Sequence, residues 1–343
     1  MNNHQNIINK IKALSKKIDK PVNLMEVCGT HTQAISRYGI RQLMPANINL
    51  ITGPGCPVCV TDQSDIDNLV NLSLAGIPIA TYGDTIKVPG DFGSLEDAQQ
   101  KGAKVFAVYS IEEALELQKD YPDLVFFGLG FETTAPMTAY AIQNGLTVYS
   151  AHKLFLPAMT HLLQNRLTNI EGFINPGHVS VIVGADAYKN IKAPQVITGF
   201  EAEDVLVGIY LLLKQIHENR QDVENEYTRA VTKFGNTKAY ELILKVFEPS
   251  AGLWRGLGNI PNSGLAIRKK YQHQDAKVKY QNILSKIKHT YKKNAACKCG
   301  HIIQGALKPQ QCPMFNKVCT PDKPFGPCMV SSEGACNVEY QNI

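Results

Sequence analysis

The sequence predicts an α/β protein built on parallel sheets and followed by a small cysteine-rich module. Three observations carry that expectation. From Pro21 to Ala187, short β-branched or apolar runs alternate with helical stretches, the pattern of strand–helix–strand units. From Cys297 onward the composition shifts to Cys, Pro and Gly, and helical periodicity fades. The nine cysteines also fall in two blocks, with Cys28, Cys56 and Cys59 near the start and Cys297, Cys299, Cys312, Cys319, Cys328 and Cys336 in the tail.

Taken in order, MNNHQNIINKIKALSKKIDK reads as a polar, lysine-bearing helix without the apolar stretch or cleavage site of a secretory leader, so a cytoplasmic location is expected. Strands are expected at VNLMEV, INLITG, IPIATYG, AKVFAVYS, DLVFFGLG, LTVYSA and VSVIVGA, and another extended run at PQVITGF. DVLVGIYLLLKQI reads as a core helix: its apolar run, 205–213, has about half of the roughly 20 residues needed to span a bilayer, and no membrane partner is expected. A longer helix is expected across NEYTRAVTKFGNTKAYELILKVF, and a Gly-rich turn region at GLWRGLGNIPNSG. The lysines at 268–293 are spaced like the wet face of helices. With a net charge of only +5, no nucleic-acid partner is expected. Length divides the chain into an α/β domain at 1–140, a second at 141–265, and a helical segment with the cysteine module at 266–343, the chain being free to cross between the lobes.

The unusual residues fall where strands end, and in open α/β sheets ligands bind outside the carboxyl ends of the strands. Cys28-Gly-Thr-His31 sets a soft donor three residues from an imidazole, close enough to activate or co-ligate the thiol. In Gly53-Pro-Gly-Cys56-Pro-Val-Cys59, a Cys-Pro-X-Cys at a helix start, backbone N–H groups and the helix dipole favour thiolate. Two buried cysteines in a tight loop would be the plainer reading, and a zinc knuckle would need Cys28 and His31 as well. Gly128-Leu-Gly130-Phe-Glu132-Thr-Thr134 lacks the third glycine of a dinucleotide fingerprint and the lysine of a P-loop. Its Glu132 is the more useful feature, placed to orient a cysteine or relay a proton. Asp84 and His178 are single residues at strand ends, for which a capping or core role weighs as much as a chemical one.

In a reducing cytosol, cysteines at this density favour metal ligation or redox chemistry over structural bridges. In the tail, Cys297, Cys312, Cys319 and Cys336 form C-x14-C-x6-C-x16-C. Four thiolates in a Pro-rich module suit a 4Fe-4S cluster, which takes one cysteine per iron, whereas a structural zinc site draws on paired C-x2-C knuckles that this tail lacks. Cys299 and Cys328 would then flank the cluster as a dithiol or disulfide.

MEVCGTHT, GPGCPVC, GFETT, PGHVS and KPQQCPMFNKVCTPDKPFGPCMVSSEGAC, in that order and over nearly the full length, closely resemble the HypD family of hydrogenase maturation factors. The resemblance implies two Rossmann-like parallel-sheet domains with helices on both faces, and a C-terminal 4Fe-4S domain similar to that of ferredoxin:thioredoxin reductase. It implies a scaffold and redox role with a HypC-type small chaperone. Together they would carry the iron that receives two cyanides and one carbon monoxide for nickel–iron hydrogenase. Cyanide would arrive from a HypE-type donor as a thiocyanate on that donor's C-terminal cysteine. Carried over by motif, Cys28 is the ligand of that iron, Cys56 and Cys59 are the nearby redox pair, and the four tail cysteines hold the cluster. The competing classes are a stand-alone thiol–disulfide oxidoreductase of the ferredoxin:thioredoxin reductase type, a nucleotide-hydrolysing enzyme using loop 130–134, and a zinc-stabilised interaction protein.

Overall fold

The strands alternate between two sheets as the chain proceeds. The computed structural model describes residues 3–165, 167–291 and 296–342. One sheet takes its first strands, β1 (Val22–Glu26) and β2 (Ile48–Thr52), from the start of the chain. A second sheet follows from β3 (Ile79–Tyr82), β4 (Val105–Val108), β5 (Val125–Gly128) and β6 (Thr147–Ser150), in the order β4-β3-β5-β6. The chain then returns to the first sheet with β7 (Gly172–Asn175), β8 (Gln195–Ile197) and β9 (Val223–Asn225), giving β2-β1-β7-β8-β9. Every pairing in both sheets is parallel. The sheets therefore do not follow consecutive stretches cut at 140 and 265; the chain crosses between lobes.

Both faces of each sheet are covered, and the period-2 alternation of strand side chains shows how. Leu24, Ile174 and Val196 point into a core shared with Ile11 of the helix Asn3–Ser15 and Ile209 of the helix Ala202–His217. Their neighbours Met25, Phe173 and Ile197 enter a central core together with Ile79, Val125 and Phe127 of the second sheet. Ala80, Phe126 and Val148, on the other face of that sheet, pack with Ala139 and Val246. The central core also takes in the paired cysteines and Trp254, so the two sheets and the tail share one hydrophobic unit.

Three stretches differ from the sequence reading. VSVIVGA is not a strand: the strand is β7, just before it, and Gly177–Val183 is a helix whose Ser180 hydroxyl bonds back to Pro176 O at 2.7 Å. A short apolar run carries no periodicity to separate buried helix from buried strand. The long helix expected from Asn225 shrinks to Thr237–Val246, because Gly235 takes a left-handed φ of 67° and Asn236 caps the helix by accepting from Ala239 N. The Gly-rich region around Trp254 is a hairpin, β10 (Phe247–Trp254) with β11 (Gly258–Ile267), turned through Gly256 and Gly258 at φ 80° and 78°. Trp254 Nε1 donates to Ser263 Oγ at 2.8 Å, which satisfies the buried indole. Among the described residues, no helix is long and apolar enough to cross a membrane.

The turn after β2 lies against the turn after β1 with almost no space between them. Gly53 N donates to Glu26 O at 2.7 Å and Gly29 N to Gly55 O at 3.2 Å. A Cβ on Gly55 would stand 2.2 Å from Cys28 N, whereas one on Gly83 would meet nothing within 4 Å. Gly55→Ala is therefore expected to cost about 1–3 kcal/mol, or more where the backbone cannot shift. Gly83→Ala should stay within about 0.5 kcal/mol. Urea midpoints of the two variants test the contrast, and equal midpoints would contradict the close approach.

Candidate functional site

Cys28 is the N-cap of the helix Gly29–Arg37, directly after β1. Its own N–H donates to Glu26 Oε2 at 3.2 Å, and Glu26 Oε1 accepts from Thr32 Oγ1 at 2.7 Å. Glu26 is fully buried, and burial pushes its carboxyl up to about 7. Burial, then the charge of Glu333, pushes the Cys28 thiol up to about 12, while the N–H groups of His31 and Thr30 pull the other way. The helix start is not enough to make this thiol a thiolate.

Among the described residues, the His31 ring makes no hydrogen bond to Cys28. Its Nε2 bonds Gly199 O and Thr198 Oγ1, both at 2.9 Å, and burial lowers its pKa to about 4. It is a neutral imidazole at pH 7 with a buried, unpartnered Nδ1. Phe200 packs tilted against it at 4.8 Å and stacks on His178 at 4.2 Å, which brings the PGH turn to the CGTH turn.

Cys56 is the N-cap of the helix Pro57–Val60, and its sulfur accepts from Cys59 N at 3.1 Å. The two cysteines are joined as a disulfide, with Cα atoms 5.2 Å apart. Both are buried in the central core. Glu132, also buried, accepts from Phe155 N at 2.9 Å through Oε1, leaves Oε2 without a partner, and is pushed by burial up to about 7. Burial raises the phenol of Tyr188, whose Oη shares a hydrogen bond with Ser180 Oγ at 2.9 Å.

Cys28, His31, Cys56, Cys59 and Glu132 are all buried, Cys28 being the most accessible of the five at 8 %. The tail is what closes over them. Its helix Pro327–Val330 packs on Pro57–Val60 and on Gly83–Ile86, and its helix Ala335–Tyr340 packs on Gly29–Arg37. Thr30 Oγ1 donates to Glu333 Oε1, and the hydroxyls of Ser331 and Ser332 donate to Asp84 Oδ2. Asp84 is thus a docking point for the tail. Glu26 and Glu333, absent from the sequence reading, sit two residues before Cys28 and beside Cys336, where an acid within a cysteine motif was the available signal.

In the tail, Cys299 and Cys328 are joined as a disulfide with Cα atoms 6.1 Å apart. Cys297, Cys312, Cys319 and Cys336 are free and line one small cavity with that pair. Burial raises the Cys336 thiol, and the other three free thiols raise it further, as expected for sulfurs grouped around one space. Among the described residues, no three His, Cys, Asp or Glu side chains converge as ligands of a single ion would. In a 4Fe-4S cluster each thiolate binds its own iron, so ligands surround the group rather than meet at a point, and these four thiols fit that demand.

Fold and site define an α/β thiol protein whose cysteine-rich tail seals a second set of cysteines at the strand ends. The family model described as "HypD: Hydrogenase formation hypA family" matches residues 2–342. The chain is 42% identical over 340 residues to the hydrogenase maturation factor HypD of Cupriavidus necator, covering 93% of this chain and 89% of that protein. It is 40% identical over 343 residues to HypD of Escherichia coli, covering 96% and 91%. With HypD of Azotobacter vinelandii the identity is 43% over 338 residues, covering 92% and 88%. The chain belongs to the HypD family of hydrogenase maturation factors.

The burial of Glu132 has a measurable sign. Its folded pKa of about 7 lies above the unfolded value of about 4.3, so its contribution to stability is fully present below pH ~4 and is lost as pH rises through 7. Relative to Glu132→Gln, the wild-type chain should lose about 3 kcal/mol between pH 4.5 and 7.5. Urea denaturation at the two pH values checks this, and parallel losses in both proteins would refute it.

Proposed function

We propose that this chain is a scaffold and redox protein of nickel–iron hydrogenase maturation. With a HypC-type chaperone it assembles the Fe(CN)2CO group from cyanide delivered by a HypE-type donor. Family membership supports the process. The observation that supports the chemistry is the packing of the Pro327–Val330 helix, which carries Cys328, on the Pro57–Val60 helix, which carries Cys59.

Freeing cyanide from a thiocyanate takes two electrons. One R–S–CN and two thiols give R–SH, HCN and a disulfide: the S–CN bond breaks, and the S–S bond of Cys56 and Cys59 forms. Each pair is close enough to join as a disulfide and can therefore carry two electrons. Cys299 and Cys328 hold the next electron pair beside the first. A 4Fe-4S group, held by Cys297, Cys312, Cys319 and Cys336, supplies electrons one at a time when bound. Cys28 is the ligand for the iron that is built up. Its thiol stays protonated in this buried turn, so taking up iron releases that proton. A stand-alone thiol–disulfide oxidoreductase would use the same pairs; membership of a hydrogenase maturation family is what favours the assembly role.

Infrared spectroscopy of the anaerobic complex with a HypC-type chaperone tests the assignment. Cys28→Ser should abolish the iron-bound cyanide and carbon monoxide bands while leaving the tail's iron and acid-labile sulfide intact. Bands of wild-type intensity would move the ligand to Cys56 or Cys59. In the tail, Cys297→Ala should lose iron and sulfide and Cys299→Ala should keep both; the reverse result would exchange ligand and satellite.

A further inference from the structure

A polar cavity of about 240 Å³ lies at the carboxyl end of β6, apart from the cysteines. Its walls come from the first turn of the helix Gln63–Leu74, from residues 150–153, from the bulged stretch of the β10–β11 hairpin, and from Asp275 and Lys277. Lys153 lines it and is only 4 % exposed. Among the described residues, its ammonium makes no hydrogen bond or ion pair. Burial lowers its pKa, while the charges of Asp65 and Asp62, neither in direct contact with it, act the other way.

The other charged groups around the space are already engaged. Asp65 Oδ1 accepts from Tyr149 Oη at 2.9 Å and lies 4.0 Å from Lys277 Nζ. Asp275 Oδ1 caps Lys277 N at 2.9 Å. Asp62 Oδ1, set further back, accepts from Ser64 N and Oγ and from Tyr291 Oη. His152 is tied to Thr138 and Ser150, and burial keeps it neutral at pH 7. Among the described residues, Lys153 is therefore the charged group of the wall with no hydrogen bond or ion pair, while Asp65 and Asp275 keep second oxygens that can accept.

We propose that this cavity binds a small monoanionic carboxylate that also carries a hydroxyl or amino group, with its carboxylate on Lys153 and its donor on Asp65 or Asp275. A dianion is disfavoured because the same two aspartates would repel it. The volume, about eight times a water's share of the liquid, limits the ligand to a handful of heavy atoms. The cavity also adjoins the Glu132 loop, since Lys153 N donates to Gly130 O at 2.9 Å and Phe155 N holds Glu132.

Calorimetric titration of the full chain with glycolate, acetate and inorganic phosphate tests the site. Glycolate should bind most tightly, acetate more weakly for want of the hydroxyl, and phosphate least. Lys153→Met should weaken glycolate binding roughly tenfold or more, the worth of one charge-assisted hydrogen bond. A second measurement on the unmutated chain does not depend on the variant folding: glycolate should protect Lys153 from acetylation, read by mass spectrometry. Phosphate binding tighter than glycolate, glycolate binding unchanged in Lys153→Met, or acetylation of Lys153 unaffected by glycolate would each overturn the proposal.

Discussion

The approach of one backbone turn to another at the carboxyl ends of β1 and β2 is the contact on which the site depends. Parallel pairing brings Glu26 opposite Thr52, and the chain continues through Gly53 and Gly55 without leaving its neighbour. Side chains are excluded from the junction, so Cys28 and Cys56 cap two helices that start side by side. The tail then has a fixed surface on which to dock, and its Glu333 lies directly over Gly29. Loosening that junction would misplace a thiol, a disulfide and the docking surface together.

Burial, more than charge, sets the chemistry of this region. Glu26 and Glu132 sit near neutrality in pKa, His31 and His152 are held neutral, and the Cys28 thiol keeps its proton, each with desolvation as the largest cause. A dry, nearly uncharged setting of this kind disfavours free ions. It also keeps water away from thiols that must not be oxidised at random.

Much of this was legible in the sequence, because parallel strands that are covered on both faces read as short apolar runs. VNLMEV, INLITG and DLVFFGLG announce β1, β2 and β5, and the motif cysteines fall at strand ends as the alternation requires. What failed to show has identifiable causes. VSVIVGA is apolar at every turn of a short helix, so no period betrays it. The β10–β11 hairpin reads as a loop because Gly and Pro interrupt it, although Trp254 at its end is locked into the central core. Burial of the candidate residues was invisible, since much of it comes from distant segments docking on them, as Phe200 does on His31 and Glu333 on Thr30. Periodicity describes a segment's own faces and says nothing of what a distant segment covers.

The return of the chain to its first sheet has a consequence for synthesis. Asn23 N donates to Glu171 Oε2 across 148 positions, and β1 meets β7 there. At about 5–20 residues per second, a ribosome takes roughly 7–30 s to span that interval. Until then β1 and β2 exist as a parallel pair with an open inner edge, bearing the first three cysteines, while the whole second sheet can form and close. The emerging chain must therefore hold an unfinished, thiol-bearing edge for about two-fifths of its translation, and a hydrogen-bonding edge left open that long is where a chaperone would be needed most.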